Sequence, residues 1–128
     1  MKTFKIFQIH LTDAEVNTIN ETGDHFAVPK QAARLRLQFG TDNPKAADDL
    51  VNDAFTKGFF EHVGNIRAND LEGVFEVGNI GPEENIARNG VMHSLSVGDL
   101  IQDPEGNIHV VDSFGFEWVV DASIMEVV

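Results

Sequence analysis

The spacing of apolar residues changes along this chain, and the change constrains the fold more than any other feature. Between residues 43 and 59, apolar residues recur at intervals of three and four, which places Leu50, Val51, Ala54 and Phe55 on one face of a helix. After Gly90, apolar and polar residues alternate, as in half-buried strands. We therefore expect an α+β fold, with a helical N-terminal half and a small antiparallel, curled sheet or partly open barrel in the C-terminal half.

Local signals mark the individual elements. Residues 2–10 have the pattern of a short strand, and Thr12 with Glu15 three residues later is a capping box that begins a helix ended by Gly23. Pro29 and Pro44 suit the first turns of two further helices. Residues 63–68 favour a strand, whereas residues 70–78 fit a helix capped by Asp70 or a strand equally well. A turn over 103–107 joins strands, with further strands predicted at 108–112, 116–120 and 123–127.

The size and composition predict one domain, residues 1–128. A chain of 128 residues that is 42% hydrophobic holds enough apolar material for a core. Without cysteine it has no disulfide, thiolate nucleophile or cysteine zinc site. The sequence also lacks an apolar run long enough to span a membrane and the pattern of a signal peptide. We expect a cytoplasmic protein, in the host cell if the chain is phage-encoded.

Charge is the feature that bears most on partners. The formal net charge is -12, and residues 89–128 contain seven acidic side chains and no Lys or Arg. Because nucleic-acid binding relies on cations that replace the counterions of phosphate, such a surface makes nucleic acid an unlikely partner. The same surface attracts basic proteins.

No arrangement of residues predicts catalysis. The five histidines, at positions 10, 25, 62, 93 and 109, are never two to four residues apart, so no local metal pair exists. Residues 103–107 resemble the start of a calcium loop, but the glycine comes fourth and position twelve is Phe114. Neither Ser94 nor Ser96 lies in a nucleophile elbow. We expect no enzyme activity, no catalytic residues, no cofactor and no metal.

Two blocks in the last third carry a resemblance. Residues 92–101 (MHSLSVGDLI) and 108–117 (IHVVDSFGFE), preceded by DLEGVF at 70–75, resemble the ends of small uncharacterised accessory proteins of bacteriophages and plasmids, including YodL-like domains. Those proteins share an [RH]SxSVGD[VI] block followed by a G-F pair. The resemblance implies an origin in mobile elements and no particular activity.

Together these features predict a non-catalytic acidic accessory protein that binds a basic surface of a host or viral protein. One form of this hypothesis is mimicry of nucleic-acid charge, with inhibition of the enzyme whose phosphate channel the carboxylates enter. The candidate protein-binding residues are Asp99, Asp103, Glu105, Asp112, Glu117 and Asp121.

An alternative is a small barrel that binds single-stranded nucleic acid. Phe114, Phe116 and Trp118 would stack on the bases, and Lys30, Arg34 and Arg36 would contact phosphates. The sequence leaves the oligomeric state and the strand order open.

Overall fold

The strand at the start of the chain lies in the middle of an antiparallel sheet. A computed structural model describes residues 1–39, 44–112 and 115–119, with the backbone alone described at 38–39, 44–48, 112 and 115–119. Its six strands lie in the order β3-β2-β1-β4-β5-β6. They are β1 (Lys2–Ile9), β2 (Phe60–Ala68), β3 (Ile86–Arg88), β4 (Leu100–Gln102), β5 (Ile108–Asp112) and β6 (Gly115–Val119).

Four α-helices in the described part of the chain are interleaved with these strands. They are α1 (Asp13–Thr22), α2 (Pro29–Phe39), α3 (Pro44–Thr56) and α4 (Leu71–Asn79). Short 3-10 turns cover His25–Ala27 and Glu83–Asn85. None of the helices in the described ranges is long and apolar enough to cross a membrane.

Side-chain caps set the ends of the helices where the sequence predicts them. The Thr12 hydroxyl accepts from the Glu15 N–H at 3.2 Å, and the Glu15 carboxylate accepts from the Thr12 N–H at 2.8 Å. Gly23 ends α1 with a φ of 67°, a conformation that glycine adopts without strain. Asp70 caps α4 by accepting from the Gly73 N–H at 2.7 Å. The capping box is thus confirmed, and residues 71–79 are a helix.

The sheet separates two apolar cores. Phe7 and Ile9 of β1 point to one face, where they pack with Leu37 of α2 and Val51 of α3. Phe4 and Ile6 point to the other face, against α4 and the buried Leu95. Each face of the sheet is therefore covered by helices, and alternate residues of β1 contribute to both cores.

One extra residue in β2 shifts its alternation. Phe7 pairs with His62 and Ile6 pairs with Gly64, so Val63 is a bulge. Before the bulge, Phe60 packs in the core with α2 and α3. After it, Ile66 and Ala68 pack in the core with α4.

The expected architecture is wrong in its arrangement. The fold is α+β, but the N-terminal half is not simply helical, because β1 is the strand between β2 and β4 and the helices alternate with strands. The sheet is neither curled nor a partly open barrel, since β3 and β6 stand at opposite ends and pair with no second strand among the described residues. The strand expected at 123–127 lies outside the described residues.

Candidate functional site

A groove lined by carboxylates runs along the end of the sheet where β1 begins. Its larger part is a cleft of about 720 Å³ between the start of α4 and the turn that joins β4 to β5. A neighbouring cleft of about 430 Å³ shares Asn69, Asp70 and Glu72 with it and continues to Glu76 and Pro82. We call the two clefts together the acidic groove, whose carboxylates are Asp70, Glu72, Glu76, Asp103 and Glu105.

The topology of the sheet brings these residues together. Asp70 and Glu72 follow β2 and begin α4, whereas Asp103 and Glu105 follow β4. Because β1 pairs with β2 on one side and with β4 on the other, both segments emerge near its first residues. Lys2 and the buried Phe4 of β1 line the cleft between them.

Four of the five carboxylates are available to a ligand. The residues Asp70, Glu72, Glu76 and Glu105 are exposed. Within the described ranges, none of the four forms an ion pair with Lys, Arg or His. Two cations, Lys2 and Arg67, line the groove, so the carboxylates outnumber them. The groove is therefore a region of negative potential in an acidic protein.

Asp103 has a different role, because it holds the β4–β5 turn together. One carboxylate oxygen accepts from the N–H groups of Glu105, at 3.0 Å, and Asn107, at 2.9 Å. The other lies 3.0 Å from Nε2 of His109. Burial by itself raises the pKa of Asp103, but these hydrogen bonds outweigh burial and hold the pKa below its ordinary value. Asp103 is thus a charged wall of the groove that is fixed in place.

The structure separates the residues predicted to bind protein. Asp103 and Glu105 line the acidic groove, whereas the Asp99 carboxylate is half-buried against Gln8 and Ser96. Asp112 and Glu117 belong to β5 and β6 by their backbone, and their side chains lie outside the described part of the structure. Asp121 lies outside the described residues altogether.

The residues of the nucleic-acid alternative are described only in part. Phe114 lies outside the described residues, and Phe116 and Trp118 are placed in β6 by their backbone alone. On α2, Lys30 donates to the Glu15 carboxylate and to the His10 carbonyl, each over 3.2 Å, and the Arg36 guanidinium lies 6.0 Å from the centre of the Phe26 ring. The barrel expected to carry this binding is absent from the described fold.

Two groove residues, Glu72 and Glu76, and the second role of Asp70 were missed by the sequence analysis. Asp70 was predicted only as a helix cap. The available signal was two acidic residues within the first turn of α4, but grouping them with Asp103 and Glu105 requires the pairing of β1 with β2 and β4. That pairing joins segments far apart in the chain.

Comparisons with protein-family models, with curated proteins and with solved structures find no match to this chain. Among the described residues, no group of three or more His, Asp and Glu side chains is arranged to hold a metal ion. The chemistry that the acidic groove supports is electrostatic attraction of a cation together with hydrogen bonds to its donor groups.

Proposed function

We propose that this protein binds a basic segment of a host or viral partner protein in the acidic groove, without catalysis. The observation that carries the proposal is the set of four exposed carboxylates, unpaired among the described residues, around two connected clefts. A net charge of -12 adds a long-range attraction toward basic partners.

Arginine suits this groove better than a simple cation. A guanidinium donates two parallel hydrogen bonds to one carboxylate, and Asp70, Glu72 and Glu105 offer several such acceptors along the groove. Leu71 and Pro104 line the same cleft and supply apolar surface for the methylene groups of a long basic side chain. The ligand class is therefore a peptide segment rich in Arg and Lys.

Mimicry of nucleic-acid charge is one form of this proposal. In that form the partner is a nucleic-acid-binding protein, and the groove carboxylates occupy the positions of phosphates. The resemblance to accessory proteins of phages and plasmids supports a host or viral partner.

The test compares two triple variants that remove the same amount of charge. The first removes groove charges by Asp70→Ser, Glu72→Gln and Glu105→Gln, and serine at position 70 keeps a hydroxyl that can cap α4. The matched control removes three exposed charges elsewhere, by Glu21→Gln, Asp49→Asn and Glu84→Gln. The probe is a fluorescently labelled octa-arginine peptide, and its anisotropy gives Kd at several salt concentrations.

We expect the groove variant to weaken Kd about tenfold or more at low salt and the control to weaken it about twofold, because attraction at contact distance depends on local charges. Affinity of the unchanged protein should fall steeply as salt rises. Equal weakening in both variants would show that net charge alone attracts the peptide, which contradicts a local site. A labelled single-stranded oligonucleotide that binds more tightly than the peptide would also overturn the proposal.

A further inference from the structure

A buried side-chain amide connects the sheet to the segment that follows β3. Gln8, at 1% exposure, lies near the end of β1. Its Nε2 donates to the His93 carbonyl oxygen, and its Oε1 accepts from the His93 N–H, each over 3.0 Å. The amide therefore fixes residues 89–99, hereafter loop 89–99, in the way that a neighbouring strand would.

The same amide also reaches the far end of this loop. Gln8 Nε2 lies 3.0 Å from an Asp99 carboxylate oxygen, Oδ2, which also accepts from the Ser96 N–H at 2.9 Å. Between these anchors, Leu95 is buried against α4 and Ile66. Closure of the loop over this core thus places the Asp99 carboxyl group in a largely apolar setting.

Inside the described ranges, no Lys or Arg nitrogen forms an ion pair with the Asp99 carboxylate. A buried carboxylate without such a cation is destabilised relative to its neutral form. When Asp99 takes a proton on Oδ1, Oδ2 still accepts from both Gln8 and Ser96. The neutral form therefore keeps the anchoring hydrogen bonds and avoids the cost of burying a charge.

We propose that Asp99 is a proton-controlled latch, in which protonation of its carboxyl group favours the closed position of loop 89–99 and ionisation favours opening. Burial raises the pKa of Asp99 to about 6, even though hydrogen bonds from Ser96 and Gln8 and the charge of Arg34 act in the opposite direction. In an open loop exposed to water, the pKa returns toward its ordinary value of 3.8. The closed state binds the proton more tightly, so closure weakens as the pH rises from about 4 to about 6.

Other titratable groups surround the latch, and the nearest one has the opposite effect. The rings of His10 and His93 lie 4.6 Å apart, and His10 Nδ1 lies 3.6 Å from the Glu61 carboxylate. Burial, followed by the charge of His93, lowers the pKa of His10, so a proton on His10 opposes the closed state. The charged groups around this cluster, taken element by element, are Lys30 and Arg34 of α2, Glu61 of β2, and the histidines His10 and His93.

The latch is separate from the proposed function. Gln8, His10, His93 and Asp99 do not line the acidic groove. Failure of peptide binding would leave the latch standing, and failure of the latch would leave the groove standing.

The test measures amide hydrogen exchange in residues 93–98 at pH 5.0 and pH 7.5, corrected for the intrinsic exchange rate at each pH. From a pKa of about 6 in the closed state and 3.8 in the open state, we expect the opening constant to rise about tenfold over this interval. Asp99→Asn, which keeps an acceptor oxygen, should make the opening constant independent of pH within about twofold. His10→Gln and His93→Gln should retain the rise.

Three results would overturn the proposal: no change in opening of the unchanged protein, greater opening at pH 5.0, or a rise that persists in the Asp99→Asn protein. A second measurement needs no variant. The carboxyl carbon of Asp99, followed by NMR in the unchanged protein, should titrate near pH 6 together with the amides of loop 89–99. Titration near pH 4 would contradict the latch.

Discussion

The side chain of Gln8 and the backbone of His93 form a reciprocal pair, in which each group donates one hydrogen bond to the other over 3.0 Å. This pair connects the central strand of the sheet to a loop more than eighty positions later in the sequence. Both the loop and the core beneath it depend on one buried amide.

Replacement of that amide should be costly. Gln8→Leu leaves the N–H and carbonyl of His93 without their partner and removes one donor from Asp99. We expect the free energy of unfolding, measured by urea denaturation, to fall by about 2 to 4 kcal/mol.

Gln31→Leu is the matched control for this change. The buried Oε1 of Gln31 has no hydrogen-bond partner within the described part of the chain, so its removal leaves no acceptor to satisfy. We expect a change within about 0.5 kcal/mol, or a gain in stability. Equal losses in the two variants would show that the Gln8 hydrogen bonds do not stabilise the fold.

Asp103 should stabilise the β4–β5 turn in a pH-dependent way. Asp103→Asn weakens the bonds from the Glu105 and Asn107 amides and from His109, so we expect a loss of about 1 to 3 kcal/mol at pH 7. The control Glu105→Gln changes an exposed side chain and should stay within about 0.5 kcal/mol.

The sign of this pH dependence follows from the pKa of Asp103. Burial alone raises it, but the hydrogen bonds hold it below the ordinary value of 3.8. The stabilising contribution is therefore present above pH 3.8 and is lost as the pH falls through the lower pKa of the folded protein. Denaturation curves at pH 7 and below pH 3 should show the difference between the unchanged protein and Asp103→Asn shrinking in acid. A difference that grows in acid would contradict the assignment.

Gly64 should tolerate no side chain. A Cβ atom there would lie 2.7 Å from the Ala87 carbonyl oxygen, which is backbone of the neighbouring strand β3 and cannot rotate away. We expect Gly64→Ala to cost about 1 to 3 kcal/mol, seen as a lower Tm. Gly90→Ala is the control, because no atom lies within 4 Å of the position of its Cβ. It should leave Tm unchanged or raise it slightly, and a larger loss at Gly90 than at Gly64 would be inconsistent with this packing.

Short-range signals in the sequence predicted the helices well. The capping box of Thr12 and Glu15, the stop at Gly23 and the proline at the start of α2 each act within one or two turns of the chain, so they are legible without knowledge of the fold. The helix after Asp70 was left undecided, because its apolar residues fit a strand as well, and only packing against β2 and Leu95 distinguishes the two.

The sheet was harder to predict, because its determinants are non-local. The bulge at Val63 breaks the alternation of β2, so the sequence indicated a strand at 63–68 while β2 begins at Phe60. β3, with three residues, is too short for a periodic pattern and was predicted as loop. The alternating pattern from Leu95 to Val97 is loop until β4 begins at Leu100.

The candidate site was predicted only in part for the same reason. Density of acidic residues identified Asp103 and Glu105, but composition does not reveal whether a carboxylate points outward. Asp99 was predicted to contact a partner, whereas its carboxylate contacts Gln8. Asp70 and Glu72 join the groove only because β1 separates β2 from β4.

The position of β1 has a consequence for biosynthesis. This strand leaves the ribosome first, yet the residue paired with Phe7 on its β4 side is Leu100. One edge of the strand, with its unsatisfied N–H and carbonyl groups, must therefore wait for most of the polypeptide to be translated. We expect the sheet to assemble late and the nascent chain to rely on chaperones or on its own acidic charge to escape aggregation in the meantime.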